Sequence, residues 1–216
     1  MHLAMKEDPD LLLKRSPSFS PGISSASKAD QSLDTPALAS TALRMSYRIA
    51  RGEQGVLTFE PYKSAILPLW RFKTPAIATK SSEDLWKRFV QYGEAGDFVG
   101  QDMTRKFIQM GMTRAKRYAN HKGGKKYEKA DANGVKKELP KSTGHKDKEE
   151  KEEASRIFRG YWERCKEDET YTRLKEEFLK EQKEWDKDVK RASSGSALAD
   201  TKEKLKPVAK RTASRR

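Results

Sequence analysis

Residues 81–120 read SSEDLWKRFVQYGEAGDFVGQDMTRKFIQMGMTRAKRYAN, and the spacing of their apolar residues decides the fold. Leu85, Trp86, Phe89, Val90 and Tyr92 make one apolar face, and Ser81 with Asp84 three residues on has the form of an N-terminal cap. Gly93 and Gly96 end that helix. Asp97 caps a second one, along which Phe98, Met103, Phe107, Ile108, Met110, Gly111, Ala115 and Tyr118 share a broad face as far as about Asn120.

Helical spacing returns further along the chain. Ala154, Ile157, Phe158, Tyr161, Trp162 and Cys165 recur at intervals of three and four, and Tyr171, Leu174, Phe178 and Trp185 begin a fourth helix that is otherwise rich in Lys and Glu. Gly123-Gly124 and the polar, aperiodic residues 128–148 predict a flexible linker between the two helix pairs. On the N-terminal side, YRIARGEQGVLTF (47–59) alternates in part around Gly52 and Gly55, which predicts a short β-hairpin or an irregular turn segment. Pro61 and Pro68 interrupt the next stretch, where Trp70 and Phe72 are expected in an irregular packed connection. The fold class is therefore mainly α, a small helical domain with a short β-hairpin or irregular N-terminal segment.

A mean hydropathy of -0.96 leaves too little apolar material for the whole chain to pack. Residues 1–43, rich in Ser and Pro, and residues 193–216, rich in Lys and Arg, are expected to be disordered tails around one domain at 44–192. Ser16 and Ser20 each precede a proline, a composition-driven pattern that also admits phosphorylation. No apolar run approaches the roughly 20 residues of a membrane span, and Leu11 to Leu13 are too few for a secretory signal, so an intracellular protein with no membrane partner is expected. The single cysteine, Cys165, has no disulfide partner within the chain and is expected to pack as a small apolar residue.

The segments YRIARGEQGVLTFEPYKSAILPLWRFKTPAIA (47–78), GDFVGQDMTRKFIQMGMTRAKRYANHKGGKKY (96–127) and IFRGYWERCKEDETYTRLKEEF (157–178) resemble the family known as domain of unknown function 4385. The resemblance implies a compact cytoplasmic protein of a kind seen in bacteria, phages and fungi. Together with the composition of the tails it points to a fungal member. It brings no reaction, ligand or catalytic residue with it, so no site is carried over.

The net charge of +14 is unevenly placed. Residues 44–127 carry 17 Lys and Arg against 7 Asp and Glu, whereas residues 128–192 carry 18 of each. An anionic partner would meet the first of these regions, and the C-terminal tail. Arg114 and Arg117 continue the line of Met103, Phe107 and Met110 and so border the buried face. Cations there require anions, either an internal carboxylate such as Glu53, Glu60 or Glu83 with the helix's last carbonyls, or the phosphate of a ligand. His121, Lys122, Lys125 and Lys126 follow, with Tyr118 and Tyr127 on either side as stacking candidates and glycine amides between them. That set reads either as a surface for single-stranded nucleic acid or as a solvated basic loop whose tyrosines pack inward.

Trp70-Arg71-Phe72-Lys73 also interleaves rings and cations, but large aromatics at such places belong to the core, and no ligand is assigned to them. Glu53, Glu60, Asp97, Asp102 and His121 are the groups a phosphodiester-cleaving metal enzyme would use. Their spacing matches no metalloprotease, phosphate-loop or serine-hydrolase motif, and neither a metal nor any other cofactor is expected. Three classes stay open, led by a non-enzymatic protein that binds nucleic acid or another phosphate-bearing partner. The others are a protein-interaction module built on the amphipathic helices and a small phosphate-processing enzyme. The location expected is cytoplasmic, or nuclear if the Lys/Arg-rich end acts as a localisation signal.

Overall fold

The computed structural model describes residues 33–130 and 134–204. Among them are seven α-helices and no strand, as a mainly α fold requires. They are α1 (Pro36–Ala39), α2 (Thr41–Ser46), α3 (Tyr62–Ile66), α4 (Pro75–Glu94), α5 (Phe98–Asn120), α6 (Lys148–Glu167) and α7 (Glu169–Lys204). The segment 47–59 takes the irregular of its two expected forms, a series of turns with no hairpin.

α5 is the axis of the domain, packed most extensively against α6 and α4. Its first half is buried nearly all round, from Phe98 through Met103, Phe107 and Ile108 to Gly111, with only Arg105 and Gln109 half-buried, because α4, α6 and α7 pack around it. Burying each of these large apolar side chains contributes about 1.5–3 kcal/mol. Beyond Gly111 only Ala115 and Ala119 stay buried, and Met112, Arg114 and Arg117 are half-exposed. The C-terminal end of the helix thus emerges from the core and carries its cations to the surface.

The α4–α5 corner is set by Gly96 and Asp97. Gly96 sits at φ +74, where a side chain would be strained, and closes a Schellman turn: its N–H bonds Gly93 O at 3.0 Å and Asp97 N–H bonds Tyr92 O at 2.8 Å. Asp97 then caps α5, its Oδ1 accepting from Gly100 N at 3.0 Å. α4 itself begins earlier than its apolar spacing predicts. Thr74 is the cap, with Pro75 in the first turn, and Ser81 lies buried inside the helix. Its hydroxyl donates to Leu69 O at 2.7 Å and accepts from Arg71 N at 2.9 Å, so a residue that looks like a cap instead fixes the preceding loop.

Three boundaries differ from the sequence expectation. Residues 33–43 belong to the domain: Ala37 is fully buried and its N–H donates to Tyr62 Oη at 2.9 Å. The linker segment is tied back to the end of α5, since Leu139 N donates to Lys126 O, Ser142 N to Asn120 O and Lys122 N to Ser142 Oγ. His145 joins it there, with Nε2 at 3.0 Å from Tyr118 O. α7 is helical through Lys204, past residue 193 where a tail was expected. Ser16, Ser20 and the basic end from residue 205 lie outside the described residues. Cys165 is fully buried, and burial raises its thiol pKa above the ordinary value.

Candidate functional site

Where α5 emerges, it forms with α6 and the 138–141 segment a cavity of about 550 Å³. Arg114, Arg117, His121 and Lys126, four of the residues singled out by sequence, line it together. Lys116 and Lys141, and Arg159 from α6, also border it, so six Lys and Arg face two carboxylates, Glu53 and Glu138. The acids are engaged at its edge: Glu53 accepts from Thr113 Oγ1 at 2.7 Å, and Glu138 lies 3.5 Å from Lys126. Lys116 reaches Glu152 at 3.7 Å.

Arg114, Arg117, Lys141 and Arg159 form no ion pair with any carboxylate among the described residues. The internal partners considered for the arginines are accounted for differently. Glu53 shares their cavity but is held by Thr113, Glu60 pairs with Lys63 and Ser64, and Glu83 is exposed on α4. The α5 end adds partial negative charge through its carbonyls, yet His121 N–H already takes Arg117 O at 2.9 Å. Three guanidinium groups that pair with no carboxylate, in a cavity where six Lys and Arg outnumber two Glu, are chemically suited to a multivalent oxyanion.

The rest of the basic loop divides. Lys122 and Lys125 surround a smaller hollow of about 240 Å³ beside Pro140 and Ser142, and His121 borders both spaces while only 4% exposed. No hydrogen-bond partner reaches His121 Nδ1 among the described residues. The glycine amides contribute less than their sequence suggests, because Gly124 N–H is spent on His121 O at 2.8 Å. Tyr127 is 40% exposed with Lys126 over its ring at 5.1 Å. The Tyr127 hydroxyl, and then Glu138, raise the Lys126 pKa above its ordinary value. Tyr118 turns away from the cavity, stacks edge-on to Phe72 at 5.5 Å and presses on Gly124, where a Cβ would lie 2.5 Å from its ring.

The carboxylates of the enzymatic alternative are not brought together. Asp97 is the buried cap of α5, Glu60 sits on the exposed turn before α3, and only Glu53 shares a cavity with His121. Asp102 lies in the core, where Oδ1 accepts from Arg105 Nε and Tyr171 Oη, both at 2.8 Å, and Oδ2 from Tyr47 Oη. Lys106, 1% exposed, donates to Tyr47 Oη at 2.8 Å and pairs with Asp102 at 3.4 Å. Burial would raise the Asp102 pKa, but the charges of Arg105 and Lys106 outweigh it and hold the carboxyl below its usual range. This group joins the N-terminal segment and α7 to α5, and its acid is fully occupied. No group of three or more His, Cys, Asp or Glu suited to a metal ion occurs among the described residues.

The model of the family described as domain of unknown function (DUF4385) matches residues 30–181. The chain belongs to that family. The matched span of this DUF4385 protein contains every residue around the basic cavity and ends within α7. No curated protein and no solved structure matches the chain. No helix among the described residues is long and apolar enough to cross a membrane.

Sequence reasoning missed Lys116, Lys141 and Arg159. Lys141 and Arg159 are hidden in a region whose charges balance, and only the fold selects them from their acidic neighbours. The available signal for Lys116 was its place between Arg114 and Arg117.

Proposed function

We propose that this DUF4385 protein is a non-enzymatic binding protein whose basic cavity holds the phosphates of nucleic acid or of another phosphate-bearing partner. The observation that carries this reading is the group formed by Arg114, Arg117, Lys141 and Arg159, which share one cavity without carboxylate partners. Phosphate suits them because guanidinium groups bond it bidentately, and a polyanion that releases counterions gains further on binding. The scattering of Asp97, Asp102 and Glu60 favours binding over phosphodiester cleavage. A cytoplasmic or nuclear location goes with this function, with the Lys/Arg-rich residues 202–216 as a nuclear-targeting segment.

The test is binding of the full chain to fluorescent single-stranded and duplex nucleic acid over a salt series, beside a variant truncated after Lys204. A log-log salt slope of several units, at about -0.7 to -0.9 per phosphate neutralised and retained without the tail, supports the cavity. Loss of binding with the tail alone would contradict it.

A second reading rests on α7, whose Leu179, Trp185 and Val189 are 45%, 38% and 52% exposed. Trp185 and Val189 lie one turn apart, a pattern suited to docking another chain.

A further inference from the structure

Tyr118 of α5 and Lys151 of α6 border a second space, a groove of about 960 Å³ walled by Trp70, Phe72 and Tyr118. Of the three rings, Trp70 and Phe72 were expected to be core and do pack on it, whereas Tyr118 is one of the stacking candidates; all three line an open space large enough for a nucleotide. The rings are set at angles, Trp70 to Phe72 at 5.0 Å and 51° and Phe72 to Tyr118 at 5.5 Å and 68°, so they form a concave aromatic wall. The groove is also fixed in place. Ser81 bonds the backbone at Leu69 and Arg71, and Lys151 Nζ donates to Phe72 O at 3.3 Å and to Lys73 O.

Its charge is one-sided. Every charged residue lining it is a cation: Arg71, Lys73 and Lys151. The Arg71 guanidinium touches only the carbonyls of Leu67 and Trp70, and Lys73 has no carboxylate partner among the described residues. A purely apolar occupant would use the wall and leave the exposed Arg71 and Lys73 to solvent. A flat ring attached to an anion would satisfy both the wall and its rim.

The groove and the basic cavity share two elements at adjacent positions. On α5, Arg117 faces the cavity and Tyr118 the groove; on α6, Ser155 faces the cavity and Lys151, one turn earlier, the groove. The two spaces are thus bordered by the same two helices within a turn of each other, and a single strand with phosphates in the first and a base in the second is the occupant that uses both. We infer that the groove walled by Trp70, Phe72 and Tyr118 receives an unpaired base of a single-stranded nucleic acid whose backbone occupies the basic cavity. The inference rests on the phosphate-binding reading of that cavity. It narrows the ligand class, because bases in a duplex are stacked on one another and closed to such a wall.

The experiment compares the full chain's affinity for a fluorescein-labelled oligothymidylate and for an abasic strand of the same length, with the wild type and Phe72→Leu. Leucine keeps the apolar packing and removes the ring, and the melting temperature of each protein is recorded alongside. The expected result is about tenfold tighter binding of the base-bearing strand by the wild type, since stacking is worth about 1–3 kcal/mol per base. Phe72→Leu removes most of that preference and leaves the abasic strand unaffected. Equal, salt-sensitive affinity of the wild type for both strands overturns the groove inference and leaves the phosphate site standing. An equal loss for both strands in Phe72→Leu also overturns it. Binding of neither strand at low salt overturns both readings together.

Discussion

Tyr171, in the first turn of α7, donates its hydroxyl to Asp102 Oδ1 across 2.8 Å and so fastens the last helix to the buried centre of α5. Tyr47 does the same from the N-terminal side through Oδ2. Asp102 is fully buried and its neighbours Arg105 and Lys106 are both cationic, so removing its charge leaves cations unpaired inside the protein. Asp102→Asn is expected to destabilise by about 3–5 kcal/mol, read from the midpoint of urea unfolding.

The same carboxyl sets a pH dependence. Its native pKa lies below the ordinary value, so the native state gives up the proton more readily than the unfolded chain. The stability it adds is fully present above the unfolded pKa of about 3.9 and is lost as pH falls through the native value. Asp97 contributes in the opposite direction, because burial raises its native pKa. The difference between wild-type and Asp102→Asn stability, measured from pH 7 downward, should therefore shrink on the acid side. A difference that stays constant across that range would contradict an ionised Asp102.

Tyr62 joins two segments by a single hydroxyl, which donates to Asp97 Oδ2 at 2.5 Å and accepts from Ala37 N at 2.9 Å. Tyr62→Phe leaves both partners buried and incompletely bonded, at a cost of about 1–3 kcal/mol. Amide exchange should report the loss first at Ala37 and through α1, before the core of α5 is affected.

Gly111 of α5 lies against Phe158 of α6, where a Cβ would be 2.4 Å from the ring. Alanine is the better helix former by about 1 kcal/mol, yet the ring is in the core and cannot yield freely. Gly111→Ala is expected to lower the melting temperature despite the propensity gain. A rise would show that Phe158 has room to move.

Glu138 is the acid beside Lys126 at the edge of the basic cavity. Glu138→Gln should raise affinity for oligonucleotide several-fold at low salt and by less at high salt, with little change in stability. Unchanged affinity at both salt concentrations would place the bound phosphates away from this edge.

The helices were legible because their causes are local. Apolar residues three and four apart, the Gly96 stop and the Asp97 cap all lie within a few residues of what they determine. The start of α4 was misread because Ser81 and Asp84 have the form of a cap, whereas Ser81 serves the loop ten and twelve residues before it. Asp102, Arg105 and Lys106 have the spacing of ordinary surface ion pairs; they become a core only when Tyr47 and Tyr171 arrive from 55 and 69 residues away. Arg114 and Arg117 could be placed at the edge of the buried face, but that neither pairs with a carboxylate among the described residues required the fold. So did the aromatic groove, whose rings have the same sequence signature when they are wholly buried.

If the cations at the end of α5 exist for a ligand, the double variant Arg114→Ala/Arg117→Ala should lose affinity without losing stability. Its melting temperature and its affinity for single-stranded oligonucleotide would be measured in the same buffer. The expected melting temperature is close to that of the wild type, since neither side chain has a carboxylate partner to lose, with affinity reduced at least tenfold and a shallower salt slope. A large fall in melting temperature with affinity unchanged would contradict a ligand role and make the arginines part of the scaffold.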